Sequence, residues 1–511
     1  MTPIFSKRVK WCVFFACSSS LAMIFADQSA LPVALASIQR ELHMSALELQ
    51  WVVNSYLLTL AVFIILGGKL GDRYGHRKLF LTGIILFIAS SIGCALSPNG
   101  SSLIISRAVQ GVGGALMIPS ASPIFRHVFG QRDFGKMVGL YLAFASIFMM
   151  LGPTLGGFLT AYLSWRWIFW INFPLAMVAI IITLFIMPHD DENRDLNKGF
   201  DWAGFILLSV SLCAGVFALM QGNSLGWLSP LVVGCFLLTA VCLVWFIRVE
   251  RRQNTPFVEL ALLNDRVFSG CVWMILLLQI AYISLIFWPL FLEYVLQLPP
   301  QKVGILLLAV QVPVFFVAPI AGRLLDRFGP YLPVRCGSLL MLMGSLWIAT
   351  LAHHDTFAWL MPGLILFGIG SPMATMCVMS TVGALARPEK RGTASGLISA
   401  SRQIGSVLGL AMLSTLMLGL NHYYLLRWLG KTSGKLAELH LSQLDALLTN
   451  TAPAATAMAL TAQQQQVAHE AAARAYTFGF SGLMLIAALA LLIVFFLAKR
   501  LPRQSLNPST P

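Results

Sequence analysis

The sequence predicts an all-α integral membrane protein of fourteen transmembrane helices, arranged as two six-helix bundles with two helices inserted between them. Three observations carry this reading. Of 511 residues, 58% are hydrophobic and 11% charged, whereas a soluble domain carries roughly 25% charged residues. The apolar residues fall into runs of about 20, the length that crosses a bilayer as a helix. Two short patterns also recur at corresponding places in the two halves of the chain.

Taken in order, the first six spans are predicted at 11–35, 47–68, 79–96, 103–123, 137–162 and 166–187. Lys7, Arg8 and Lys10 precede the first, which resembles a signal peptide but is too long for a signal core and contains Asp27. It is read as a retained span. Spans at 201–221 and 229–248 form the insertion. Six more follow at 267–290, 303–323, 335–351, 358–382, 394–420 and 477–498. The domains are therefore 1–187, an N-terminal bundle; 188–266, the inserted pair with its loops; 267–498, a C-terminal bundle with a long loop at 421–476; and 499–511, a tail.

The repeat places the insertion. Gly68-Lys69-Leu70-Gly71-Asp72-Arg73-Tyr74-Gly75 follows span 2, and Gly322-Arg323-Leu324-Leu325-Asp326-Arg327-Phe328-Gly329 follows span 10. Gly135, Gly139 and Leu140 before span 5 match Gly392, Gly396 and Leu397 before span 13 at nearly the same offset. Duplicated six-span halves separated by two extra spans account for both. Repeated halves that rock about a central site are a common transporter design.

An even span count puts both termini on one side. The loops opposite the N-terminus hold few cations: Arg40, Arg166, Lys302, Arg427, Lys431, Lys435 and Arg474. The other loops hold most of the rest, so the positive-inside rule places both termini in the cytoplasm. The net charge of +14 is thereby explained by topology rather than by nucleic-acid binding. The nine cysteines lie in or beside apolar spans and read as packing residues, with no metal spacing and no disulfide framework. No phosphate loop, nucleophile triad or metal constellation points to an enzyme, and no ATP-binding motif appears.

These residues resemble the major facilitator superfamily, and within it the fourteen-span drug:proton antiporters of the EmrB/QacA type, over roughly 11–500. The loop from Gly68 to Lys78, with Asp72, Arg73, Gly75 and Arg77, matches the superfamily's signature loop. The resemblance implies that its charges, with Asp326 and Arg327 in the second half, bridge a cytoplasmic gate. In span 5, Gly139 and Gly152-Pro153-Thr154-Leu155-Gly156-Gly157 resemble the antiporter motif, with Phe148 where the family has glycine. A bulky ring there is expected to push the neighbouring helix away. Span 4 carries Arg107-Ala108-Val109-Gln110-Gly111, in which the family's arginine takes part in proton transfer. Span 1 carries Asp27-Gln28-Ser29 and departs from the family at Pro32 and Ala36. Trp165-Arg166-Trp167, Asn172 with Pro174, and Arg402-Gln403 with Gly405 and Gly409 resemble the same group. The tryptophans read as interfacial anchors.

Asp27 is the one acid placed well inside a span, and a charge at such depth usually faces a cavity and has a partner. At ~1.5 Å per residue, Asp27 and Arg107 differ in depth by only a few ångströms. Together they are the expected proton-coupling pair. Low dielectric favours the neutral carboxyl and a guanidinium favours the carboxylate. Such a site can exchange its proton as the cavity opens to one side or the other. A cationic substrate would favour the charged form and expel the proton; the plainer reading is a static pair that only fixes packing. Gln28, Asn54, Tyr56, Gln110, Asn172, Gln279, Gln311 and Gln403 are candidate cavity residues. Glu293, at the outer end of span 9, is expected either to admit cations or to face interfacial water. Leu436, Leu439, Leu444 and Leu447 suggest a helical stretch with one greasy face in the long loop.

The expected function is proton-coupled efflux of amphipathic, cationic compounds across a bacterial inner membrane, with no cofactor beyond the proton gradient. Export or import of one metabolite or siderophore stays open, as does a non-transporting sensor or scaffold. The expected partners are the small-molecule substrate and the lipid membrane, and the resemblance permits a periplasmic adaptor protein.

Overall fold

The computed structural model describes residues 5–189, 201–253, 257–354, 356–385, 391–429 and 462–503. Among these residues there is no β-strand, and fourteen helices are long and apolar enough to cross a membrane. In lipid every backbone polar group must be satisfied within the segment, which is why each apolar run folds as a helix.

The first bundle comprises α1 (Lys7–Leu42), α2 (Ala46–Tyr74), α3 (His76–Ala95), α4 (Gly100–Gly130), α5 (Lys136–Tyr162) and α6 (Trp167–Phe185). The inserted pair is α7 (Trp202–Leu225) and α8 (Pro230–Glu250). The second bundle is α9 (Arg266–Tyr294), α10 (Pro300–Phe328), α11 (Tyr331–Leu351), α12 (Phe357–Leu385), α13 (Arg391–Leu429) and α14 (Ala462–Leu497). Helix starts follow local chemistry. Ser45 and Glu48 form a reciprocal cap on α2, Asn99 accepts from Ser102 N–H at 2.9 Å to start α4, and Asp265 accepts from two backbone N–H groups to start α9.

Two boundaries differ from the sequence expectation. Span 4 extends to Gly130, whose φ of +71° turns the chain directly into α5. Both ends of the loop expected at 421–476 are helix: α13 continues to Leu429 and α14 begins at Ala462. Residues 462–476 are rich in alanine and glutamine, strong helix formers that hydropathy does not count. Leu436, Leu439, Leu444 and Leu447 lie outside the described residues.

With fourteen spans among the described residues, the start of α1 and the end of α14 lie on one face, here the terminal face; the opposite one is the distal face. Spans α1–α6 pack among themselves, as do α9–α14. Helix α7 lies at the seam between them, against α2 and α13. The Asn54 amide meets Met220 Sδ at 2.9 Å, and Asn223 and Thr415 exchange hydrogen bonds with the facing backbones, each at 2.6 Å. Helix α8 packs on α7 and exposes Leu237, Val241 and Trp245, as a lipid-facing helix does.

The duplicated loops keep their geometry as well as their sequence. Gly75 (φ +102°) ends α2 and Gly329 (φ +70°) ends α10, each with its N–H on a carbonyl four residues back. A side chain at either would be strained, so both turns call for glycine. The nine cysteines are free; Cys17, Cys94, Cys242, Cys271 and Cys377 are buried, while Cys213 is exposed.

Candidate functional site

Helix α1 enters the site because α5 lies hard against it. A Cβ on Gly152 would collide with Ser29 Oγ, and one on Gly156 would sit 2.6 Å from the Ala30 carbonyl. Small residues permit this approach, and Pro153 lies between them without an N–H to satisfy. Phe148 does not push α1 away, contrary to the expectation. Its ring turns onto Phe144 at 5.5 Å, within α5, so the close contact begins one turn later, at Gly152.

Behind that contact lie Asp27 and Arg107, each 1% exposed. Arg107 Nη1 donates to Asp27 Oδ2 at 2.5 Å and to Gln110 Oε1 at 2.7 Å, and Nε donates to the Val52 carbonyl at 3.2 Å. The guanidinium also lies over the Tyr56 ring at 4.3 Å. Arg107 thus ties α4 to α1 and α2, while Asp27 Oδ1 is buried with no hydrogen-bond partner among the described residues. Asp27 itself stands behind the cavity wall; Arg107, Gln28 and Tyr56 form that wall.

The cavity lies between the two bundles, within the length of the spans, with a volume of about 110 Å³. The N-terminal wall adds Met149 and Pro153 of α5. The C-terminal wall presents Gln279 and Tyr282 of α9, Gln311 of α10, and Arg402, Gln403 and Ser406 of α13. It is mostly apolar with a few convergent polar groups, the usual make-up of a small-molecule site.

Three expected cavity residues are elsewhere. Asn54 faces Met220 of α7, because Val53, Tyr56 and Leu57 occupy the cavity face of α2. Gln110, one turn from Arg107, is spent on that arginine. Asn172 donates to Ser91 Oγ at 3.1 Å inside the first bundle. Glu293 lies at the end of α9, as expected, but it does not face interfacial water. Its side chain is 3% exposed and pairs with Arg40 of α1 at 3.6 Å. Trp165 is likewise no interfacial anchor; it is buried, with Nε1 on Glu41 at 2.7 Å, whereas Trp167 is half exposed.

Glu293 belongs to a set of contacts that join the two bundles at the distal end. Tyr294 of α9 donates to Gln39 of α1, and Thr154 of α5 donates to the Gly304 carbonyl of α10 at 3.2 Å. A second cavity of about 350 Å³, lined by Leu35, Gln39, Ser45, Leu290, Tyr294 and Ser414 among others, runs from the distal α1–α2 turn towards the central one. Val53 and Ile286 line both cavities. At the terminal face, Asp72 is 76% exposed and meets His76 of the next helix at 3.1 Å, and Asp326 and Arg327 are exposed. Arg77 instead donates to the Thr183 and Leu184 carbonyls at the end of α6, at 3.0 and 2.8 Å. The signature loops therefore lie open on this face, while the halves meet at the other.

Known proteins share both sequence and fold with the chain. The family model described as Major Facilitator Superfamily matches residues 17–410. The chain belongs to this superfamily. Among its relatives, the multidrug resistance protein Stp of Mycobacterium tuberculosis is 33% identical, over 80% of this chain and 76% of that one. The tetracenomycin C resistance and export protein of Streptomyces glaucescens is 30% identical over 81% and 78%, and a puromycin resistance protein of Streptomyces alboniger 31% over 81% and 83%. In fold, the crystal structure of a bacterial homolog of the human lysosomal transporter Spinster superposes with a TM-score of 0.66 at 14% identity, covering 99% of this chain and all of that one. A D-xylose-proton symporter gives 0.61 at 13%, over 97% and 99%. The protein is thus a multi-pass major facilitator superfamily transporter, with homologues named for drug resistance and export.

Sequence reasoning missed Arg402 as a cavity residue. Arg402 was visible as a cation inside a span, and its spacing from Gly405 and Gly409 was the signal: positions three and seven apart share a helix face. Both glycines face α9, a Cβ on Gly405 falling 2.7 Å from the Leu276 carbonyl.

Proposed function

We propose that this transporter exports amphipathic compounds bearing a cationic or hydrogen-bond-donating group from the cytoplasm, in exchange for protons bound at Asp27. The observation that carries the proposal is the buried Asp27–Arg107 pair, set directly behind the wall of a cavity between two repeated bundles. With Asp27 ionised, the pair is neutral and the wall accepts a positive or donating group. With Asp27 protonated, Arg107 keeps its charge without compensation and repels that group. Proton and substrate then occupy the site alternately, which is antiport by competition. The drug-resistance names of the relatives support an exporter, and the cation-rich loops beside the termini support cytoplasmic termini in an inner membrane. Alternating access needs the distal contacts to open while the signature loops close.

The test is proton release from purified protein in weakly buffered detergent on adding lipophilic cations, neutral drugs or anionic metabolites. Release by the cations, lost in Asp27→Asn, is expected. Binding without release, or release that survives Asp27→Asn, would refute the mechanism.

A further inference from the structure

The charges around the central cavity do not balance. On the N-terminal wall, Arg107 is neutralised by Asp27. On the C-terminal wall Arg402 has no such partner: no carboxylate of the described residues lines the cavity. Among the described residues Arg402 forms no ion pair, and its Nε is buried with no hydrogen-bond partner. An uncompensated arginine inside a span is expensive, and one that persists generally faces a ligand or ion pathway. Its surroundings have the matching character. Gln279, Gln311 and Gln403, with the Tyr282 hydroxyl, converge on the same wall from three helices. They can share an acceptor with the guanidinium, and none can neutralise it. Gly405 and Gly409 lock the same face of α13 against α9, so the arginine is held at the cavity by packing rather than by a counter-charge.

We infer that Arg402 receives an anionic group of the substrate, so that the cavity takes two-ended amphipaths, anionic at one end and cationic or donating at the other. The inference rests on reading the central cavity as the transport site. A guanidinium binds a planar carboxylate through two parallel hydrogen bonds, a geometry that lysine cannot reproduce. The anionic end therefore lies against α13 in the second bundle. The cationic or donating end lies against Gln28, Tyr56 and Arg107 in the first, where Asp27 senses it. A substrate of this kind bridges the two bundles, and it contributes the negative charge that the C-terminal wall lacks.

Three compounds separate the two ends: norfloxacin, an amphipathic zwitterion; its methyl ester, which lacks the carboxylate; and N-acetylnorfloxacin, which lacks the ammonium. Equilibrium dialysis against the purified full chain at neutral pH gives each affinity, for wild type, Arg402→Gln and Arg402→Lys. Wild type is expected to bind norfloxacin about tenfold more tightly than the methyl ester, as a charge-assisted hydrogen-bonded pair implies. Arg402→Gln should erase that ratio by weakening norfloxacin alone, and Arg402→Lys should restore part of it. Equal affinities in wild type, tighter binding of the ester, or equal weakening of both in Arg402→Gln overturns the inference. If Arg402→Gln does not fold, the wild-type ratio decides. Proton release by the same compounds keeps the two proposals apart. A carboxylate preference that depends on Arg402, without Asp27-dependent release, refutes antiport and retains the subsite. Release without a carboxylate preference does the reverse.

Discussion

Arg107 holds four groups at once: the Asp27 carboxylate, the Gln110 amide, the Val52 carbonyl and the Tyr56 ring. Removing one member of a buried pair strands the other, at about 3–5 kcal/mol, whereas removing both is far milder. Arg107→Ala is therefore expected to lower the thermal stability of the purified protein substantially. Asp27→Asn combined with Arg107→Gln should lose much less than the two single changes together. Additive losses would show that the pair is not coupled. Asp27 and Arg107 were legible in the sequence because a charge inside an apolar run stands out whatever surrounds it. Asn54 and Gln110 were misplaced because sequence gives the depth of a residue in a span but not the direction it faces. Glu293 was misread for a related reason: a helix end is wet or dry according to what covers it, and here α1 covers it.

At the scale of helices, the α1–α5 contact and the distal contacts make separate predictions. Gly156→Leu should force α5 off α1 and abolish transport, with the protein still inserted; retained transport in a vesicle assay would show that close approach is dispensable. At the distal end, Glu293→Gln with Tyr294→Phe removes an ion pair and a hydrogen bond joining α9 to α1. Each is worth about 1 kcal/mol net, so together they should shift the population towards the distal-open state by about tenfold or more. A cysteine at Ser414, which lines the distal cavity, should then react correspondingly faster with a membrane-impermeant thiol reagent in a background free of native cysteines. An unchanged rate would mean that these contacts do not hold the gate. The pattern of spans revealed all fourteen spanning helices of the described residues, since hydropathy reports burial in lipid directly. The last turns of α13 and the first turns of α14 escaped because they lie outside the apolar window.

For the molecule as a whole, the halves meet at the distal face while the duplicated loops of the terminal face stand exposed. A bifunctional thiol cross-link between Gln39→Cys and Tyr294→Cys should therefore stop transport while leaving substrate binding from the terminal face intact. Loss of binding would mean that the central cavity fills from the distal side. Helix α7 bridges α2 and α13 at the seam, and Lys69 of the signature loop lies 5.3 Å above Phe257 in the segment after α8. The inserted pair is thus attached to both moving halves, so it must slide on at least one of them when the transporter changes state.

Sequence alone determined the number of spans, the shared face of the termini, the duplication and the two conspicuous charges. These follow from length, hydropathy and local motif, which depend on the bilayer and not on neighbouring helices. Only the tertiary structure decided which polar residues share a cavity, that Glu293 pairs with Arg40 at the distal end, and that Arg402 lines the central cavity with no counter-charge among the described residues. Those properties depend on how each helix is rotated and what packs against it, and that is set by contacts between residues far apart in the chain.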